Sequence, residues 1–216
     1  TSPEFVTVVR EDLGVSITGI AHAHRGITDR LIARTIPRPE RAPSILLFHG
    51  SRDGYRPSEK ENVIPFSDAE LIAQGFTYAA IGHYHASATI EDGSGGIRAA
   101  YSGCLQGRGL DETNVKCALV GEIEPDGRVS LEEVEVAPRR VISVDVDVTG
   151  LSDNRAVLDK ISGGASAREC DIVHVSLVGA LSPGVVLDTT QWERADCPDL
   201  IGIGDGTLQA VPKLQV

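Results

Sequence analysis

Two nearly unbroken apolar runs, Ser44-Ile45-Leu46-Leu47-Phe48 and Phe76 to Ile81, do most to limit what this chain can fold into. A half-exposed strand alternates apolar and polar residues, whereas a continuous apolar run fits a strand covered on both faces. Between the two runs, Ser67 and Glu70 have the spacing of a capping box, and Leu71, Ile72 and Gly75 complete a short helix. Each run ends on histidine beside glycine: His49-Gly50 after the first, Gly82-His83-Tyr84-His85 after the second. Side chains at such strand ends point into the crevice where open sheets place their sites. Neutral imidazole ligates Zn, Mn or Fe, and a neighbouring glycine lets the backbone turn sharply or a substrate come close. His83 and His85 share a face if the strand continues and diverge if it becomes a loop. From the residues alone, a metal site and a set of hydrogen-bonded histidines are both open.

Phe5 to Val9 and Val15 to Ile20 are short strands joined by a turn at Asp12 to Gly14. Thr28 to Ile36 is expected to be helical, with Thr28 or Asp29 near its cap. Residues 87 to 100 hold a polar, glycine-rich turn. Val115 to Ile123 and Val129 to Val136 form a hairpin across Glu124-Pro125-Asp126-Gly127. After Pro138-Arg139-Arg140 a fresh unit begins: a strand over Val141 to Val148, a helix over Asp153 to Ile161, and a strand over Asp171 to Val178. A further strand is expected at Gly184 to Asp188. Asp145 and Asp147 alternate with apolar residues as the solvated face of their strand.

Composition narrows the partners. Acidic residues outnumber basic ones 31 to 20, a formal charge of −11, which disfavours a strong grip on DNA by this chain alone. No apolar stretch approaches the roughly 20 residues of a membrane span, and no signal peptide opens the chain. With no methionine anywhere, the chain is read as starting partway through a gene product. The four cysteines, Cys104, Cys117, Cys170 and Cys197, contain no CxxC pair, so a thiolate zinc site is not expected. A reducing, cytoplasmic setting follows, with Cys117 and Cys170 as buried thiols. Trp192, the single tryptophan, is assigned to packing or a contact surface.

Ser44 to Gly50, the block Gly75 to His85, and Tyr101-Ser102-Gly103-Cys104-Leu105-Gln106-Gly107-Arg108-Gly109 resemble successive blocks of the calcineurin-like metallophosphoesterases, nearest to their DNA-repair exonuclease branch. The Gly-His-x-His block carries most of the likeness, which runs on through Asp111-Glu112 and to Cys170–Gly179, similar to a strand of the capping domain. The resemblance implies an α/β fold: part of a two-sheet sandwich flanked by helices over 1–137, then a small α+β capping domain over 138–216. It implies two divalent metal ions, Mn foremost with Zn or Fe as alternatives. His49 and His83 would ligate the second metal, and His85 would reach the first. Arg108 and Arg52 would contact substrate phosphate, a salt bridge being the other reading of each; Arg56 shares that ambiguity.

The departure from the family pattern is equally informative. The opening Asp-x-His, the Gly-Asp with its bridging carboxylate and the Gly-Asn-His block have no counterpart in residues 1–43. His22 and His24 do not replace them, since they bring no carboxylate. Two adjacent cations need a bridging anion, and three imidazoles offer none. The chain alone is therefore expected to bind metal weakly and to hydrolyse little, with one apolar sheet face open. A missing N-terminal segment, a separate chain or a homodimer would cover that face. The function expected is part of a two-metal phosphodiesterase or exonuclease acting on nucleic acid. A small-molecule or nucleotide phosphoesterase and an inactive binding scaffold are the alternatives.

Overall fold

The structure, a computed structural model, describes residues 4–21, 27–39, 43–55, 62–113, 115–164, 171–187 and 200–205, the last as backbone. Among them the protein is mostly β, with a mixed six-stranded sheet, two smaller sheets and two short α-helices. None of these helices is long and apolar enough to cross a membrane. The chain divides into two compact units: Thr1–Leu105 with Lys116–Val136, and Gln106–Val115 with Ala137–Val216.

In the first unit, β1 (Val6–Arg10) and β2 (Val15–Gly19) pair antiparallel across the turn that ends at Gly14. β3 (Ser44–His49) and β4 (Tyr78–Gly82) follow in parallel. β5 (Ser87–Glu91) and β6 (Ile97–Ser102) complete the sheet, whose order is β1-β2-β3-β4-β6-β5. These last two strands occupy the stretch read from sequence as a turn. The turn itself is shorter, because the Asp92 carboxylate accepts bonds from Ser94 N, Gly96 N and Arg98 Nε and so closes a tight β5–β6 hairpin.

Helix α1 (Asp68–Ala73) carries the expected capping box: Ser67 Oγ accepts from Glu70 N, and the Glu70 carboxylate accepts from Ser67 N at 2.7 Å. The helix expected over Thr28 to Ile36 is instead one 3-10 turn, Leu31–Ala33. Arg30 stands at its cap and offers no side-chain acceptor, and Pro37 disfavours helix at Ile36. Gln74 Nε2 takes the Ile32 and Arg34 carbonyls that helical bonds would have used.

The same box gives a pH prediction. The Arg30 guanidinium, then the Ser67 N–H, hold the Glu70 carboxyl down at about 2 against an ordinary 4.5. A depressed folded-state value means stability fully present above about pH 4.5 and lost as pH falls toward 2. The partners are solvent-accessible, so the contribution is about 1 kcal/mol or less. Glu70→Gln is expected to lower stability slightly at neutral pH and to flatten the acid limb between those values, read by circular dichroism.

Strand register sorts the sheet residues onto two faces. Leu46, Phe48, Ala79, Ile81, Ala99 and Tyr101 point into a core closed by Ile32, Ile64, Phe66 and Leu71. On the other face, one row across the sheet reads Val6, Gly19, Leu47, Ala80, Ala100 and the next reads Val8, Ile17, Ile45, Tyr78. A hairpin of β7 (Cys117–Ile123) and β8 (Val129–Glu135) lies over part of this face, with Leu119, Ile123, Val129 and Leu131 lining a groove of about 450 Å³ against Ile45, Leu47, Tyr78 and Ala80. Beyond the hairpin, Val6 and Val8 remain 64% and 55% exposed, and Leu47 in the groove remains 51% exposed. Leu47 lies in a strand with neighbours on both sides and is thus only partly covered.

The second unit has β9 (Val141–Asp147), α2 (Asn154–Gly164), β10 (Ile172–Val178) and β11 (Leu200–Asp205), with sheet order β11-β10-β9 and all pairs parallel. Val146, Val157, Ile161, Val175 and Leu177 form its core, while Asp145 and Asp147 lie exposed. Buried Asp171 accepts from Arg140 N and Nε at the start of the unit. The strand expected at Gly184 to Asp188 is not formed over 184–187: a turn runs through Gly184, and both edges of β10 are already taken by β9 and β11.

Candidate metal centre

β3 and β4 run side by side in register, His49 opposite Gly82, so both chains leave the sheet at one end. His49 follows Ile45 and Leu47 at two-residue intervals and therefore lies at the C-terminal end of the uncovered face. His83, the next residue after β4, puts Nδ1 3.2 Å from His49 Nε2, with the rings edge to face at 5.0 Å. The two histidines that the resemblance assigned to one metal are thus neighbours. Their separation suits a hydrogen bond between neutral rings. It equally suits shared ligation, since two nitrogens at roughly 2.0–2.1 Å from one tetrahedral or octahedral ion lie about 2.9–3.4 Å apart.

His83 holds this position at a conformational cost. Its φ of 124° is a region that L residues rarely adopt, of order 1–3 kcal/mol. Packing on either side enforces it: Tyr84 is buried and its ring meets Tyr55 and Tyr101 at 4.8 Å each. Tyr101 Oη donates to Gly50 O at 2.8 Å, tying β6 to the residue after His49. A side chain at Gly50 would meet Phe48 at 2.7 Å and the Ile64 carbonyl at 2.9 Å, so glycine is required there for space.

Gly82 is required for the pair itself, because a Cβ there would lie 2.9 Å from His49 Nδ1. The imidazole can swing aside, so Gly82→Ala should fold while the 3.2 Å approach is lost. The expected result is metal affinity lowered by about tenfold or more at nearly unchanged thermal stability, read by calorimetry and a melting curve.

His85 enters through its backbone. Its carbonyl accepts from Cys104 N at 3.3 Å and from Lys116 Nζ at 3.3 Å, with Cys104 Sγ at 3.5 Å. Gly103, at φ 75°, packs its α-carbon against the same peptide, where a Cβ would lie 3.0 Å from His85 O. Lys116 and Gly103 were not singled out from sequence. A lysine before an apolar strand reads as a surface residue, and only tertiary packing buries it.

Arg52 forms a two-pronged ion pair with Asp68, Nε at 2.7 Å and Nη2 at 2.6 Å, which raises its own pKa further. Arg108 is exposed, on the segment grouped with the second unit, and its backbone N–H donates to Glu112. Cys117 is a buried thiol whose pKa burial pushes up, and Cys104 is half-buried. His22, His24, Arg56, Cys170, Trp192 and Cys197 lie outside the described residues. No protein-family model matches the chain, and a search of curated proteins returns no match.

Proposed function

We propose that this chain carries the imidazole half of a two-metal phosphodiesterase site, within part of a metallophosphoesterase sandwich whose second unit serves as a cap. The observation that carries this reading is the 3.2 Å approach of His83 Nδ1 to His49 Nε2, held on a strained backbone at paired strand ends. Strain that a fold maintains at a polar strand end is a reasoned pointer to function. His49 and His83 would hold one divalent ion, Mn foremost with Zn or Fe as alternatives, and His85 would serve the other. Such ions polarise a phosphoryl oxygen and supply hydroxide near neutral pH. The chain's own residues orient the rings: Gly82 leaves room for His49, and Tyr84 seats the loop.

On this reading the bridging carboxylate comes from polypeptide that completes the domain, whether joined to this chain or separate. The uncovered face supports this, because it runs from Val6 and Val8 across Leu47 to the strand end that bears His49. An element packed over it would reach the histidines from the open side. A second copy of the chain would also cover the face. DNA ends are the proposed substrate of the completed site. The charge of −11 favours a nucleotide or other small phosphoester as the second reading.

Calorimetric titration of Mn into the lone chain tests the half-site. One weak uptake, with Kd on the order of tens of micromolar or above, is expected for an imidazole site without a carboxylate. Submicromolar uptake of two ions per chain would contradict it. The completed domain is expected to release nucleotides from DNA in Mn, and His85→Ala is expected to reduce that release sharply.

A further inference from the structure

We infer that Lys116 is a positioning residue for the histidine loop, acting through the His85 carbonyl; this rests on the metal reading above. Lys116 is only 3% exposed, unusual for a lysine, which is almost never fully buried unless paired. Its ammonium donates to His85 O at 3.3 Å, and among the described residues no carboxylate is paired with it. A buried ammonium that relies on a carbonyl rather than a counter-ion fixes that carbonyl strongly, since charge-assisted hydrogen bonds are about twice as strong as neutral ones.

The same oxygen takes the Cys104 N–H, so the segments on either side of Gln106–Val115 converge on it. Cys104 stands just before Gln106–Val115 and Lys116 just after it, so both feet of that excursion are fastened to one peptide of the histidine loop. Gly103 packs closely against the same peptide, where a Cβ would lie 3.0 Å from His85 O and 3.1 Å from Ala86 C. The result is a carbonyl held from both ends of the excursion, two residues after His83, a ligand of the one ion that the lone chain is expected to take up.

Two consequences of the lysine oppose each other. Its positive charge repels a nearby dication, and its hydrogen bond holds a ligand in place. If charge dominated, removing it would tighten metal binding; if positioning dominates, removing it loosens binding. Positioning groups behind metal ligands typically change affinity by about 10- to 100-fold, so positioning sets the sign expected here.

The test is a cobalt titration of the full 216-residue chain, following the visible bands of bound Co(II), for the wild type, Lys116→Met and Lys116→Arg. Methionine keeps the apolar stem and removes both donor and charge, while arginine keeps a cationic donor. About tenfold weaker binding in Lys116→Met with altered band shape, and recovery to within about threefold in Lys116→Arg, is the expected result. Val157→Ala, a core change in the second unit, controls for general destabilisation and should leave cobalt binding alone. Unchanged or tighter binding in Lys116→Met, with the wild type taking up cobalt, overturns the positioning role and leaves the metal reading standing. Absence of cobalt uptake in the wild type overturns both. If Lys116→Met does not fold, Lys116→Leu takes its place: affinity equal to that of Lys116→Arg overturns the role, because leucine keeps apolar bulk and has no donor.

Discussion

Replacing His83 with glycine is expected to separate the fold from the site: stability holds or rises by about 1 kcal/mol while metal uptake is lost. The reasoning starts from the backbone. At φ 124° a histidine carries strain that glycine does not, so the substitution relieves the folded state, although glycine's freer unfolded chain offsets part of the gain. The ligand goes with the ring. Changes behind a ligand already cost about 10- to 100-fold in affinity, so removing one should exceed about 100-fold. His49→Ala is expected to match that loss without the gain in stability, because His49 ends a regular strand. Melting curves and cobalt titrations on the two variants check this. A glycine at 83 that destabilises the protein would mean that the ring, rather than its neighbours, holds the loop.

The second large effect concerns two adjacent leucines on opposite faces of β3. Leu46 is fully buried, and Leu46→Ala is expected to cost about 2–5 kcal/mol. Leu47, half-exposed on the open face, is expected to accept Leu47→Lys for less than about 1 kcal/mol. That lysine should nevertheless remove most association of the chain through the face, measured by sedimentation and by binding of a hydrophobic dye. If Leu47→Lys proves as costly as Leu46→Ala, the face is covered within a single chain and no completing layer is needed.

The local signals in the sequence were faithful where a residue's neighbours in the chain decide its conformation. The capping box at Ser67 and Glu70, the turns at Gly14 and Gly127, and strands β3, β4, β7, β8, β9 and β10 follow from such signals. The signals failed where partners are distant. Leu31 to Ile36 has helical spacing but not helical bonding, since Gln74, some 40 residues on, takes its carbonyls. The β5–β6 hairpin was hidden because the Asp92 loop and its glycines dominate that stretch, and the strands around it are small and polar. Apolar runs announced burial on both faces at β3, yet the Leu46 side is closed and the Leu47 side only partly covered by the β7–β8 hairpin.

For the site, strand ends and glycines brought His49, His83 and His85 forward, the family resemblance assigned His49 and His83 to one metal, and their 3.2 Å approach needed the parallel register of β3 and β4. Neither the strain at His83 nor the clamp on the His85 carbonyl has a sequence signature. Both arise from a buried tyrosine and a buried lysine contributed by packing. Arg52 illustrates the limit from the other side: its type suits phosphate, but whether it meets Asp68 depends on where α1 begins.

X-ray absorption at the zinc edge, on the chain loaded with less than one equivalent of zinc, probes the shared ligation of His49 and His83 most directly. Two or more imidazole nitrogens at about 2.0–2.1 Å are expected, with that imidazole scattering diminished in His49→Ala. A shell of water or carboxylate oxygens alone, unaltered in that variant, would contradict it.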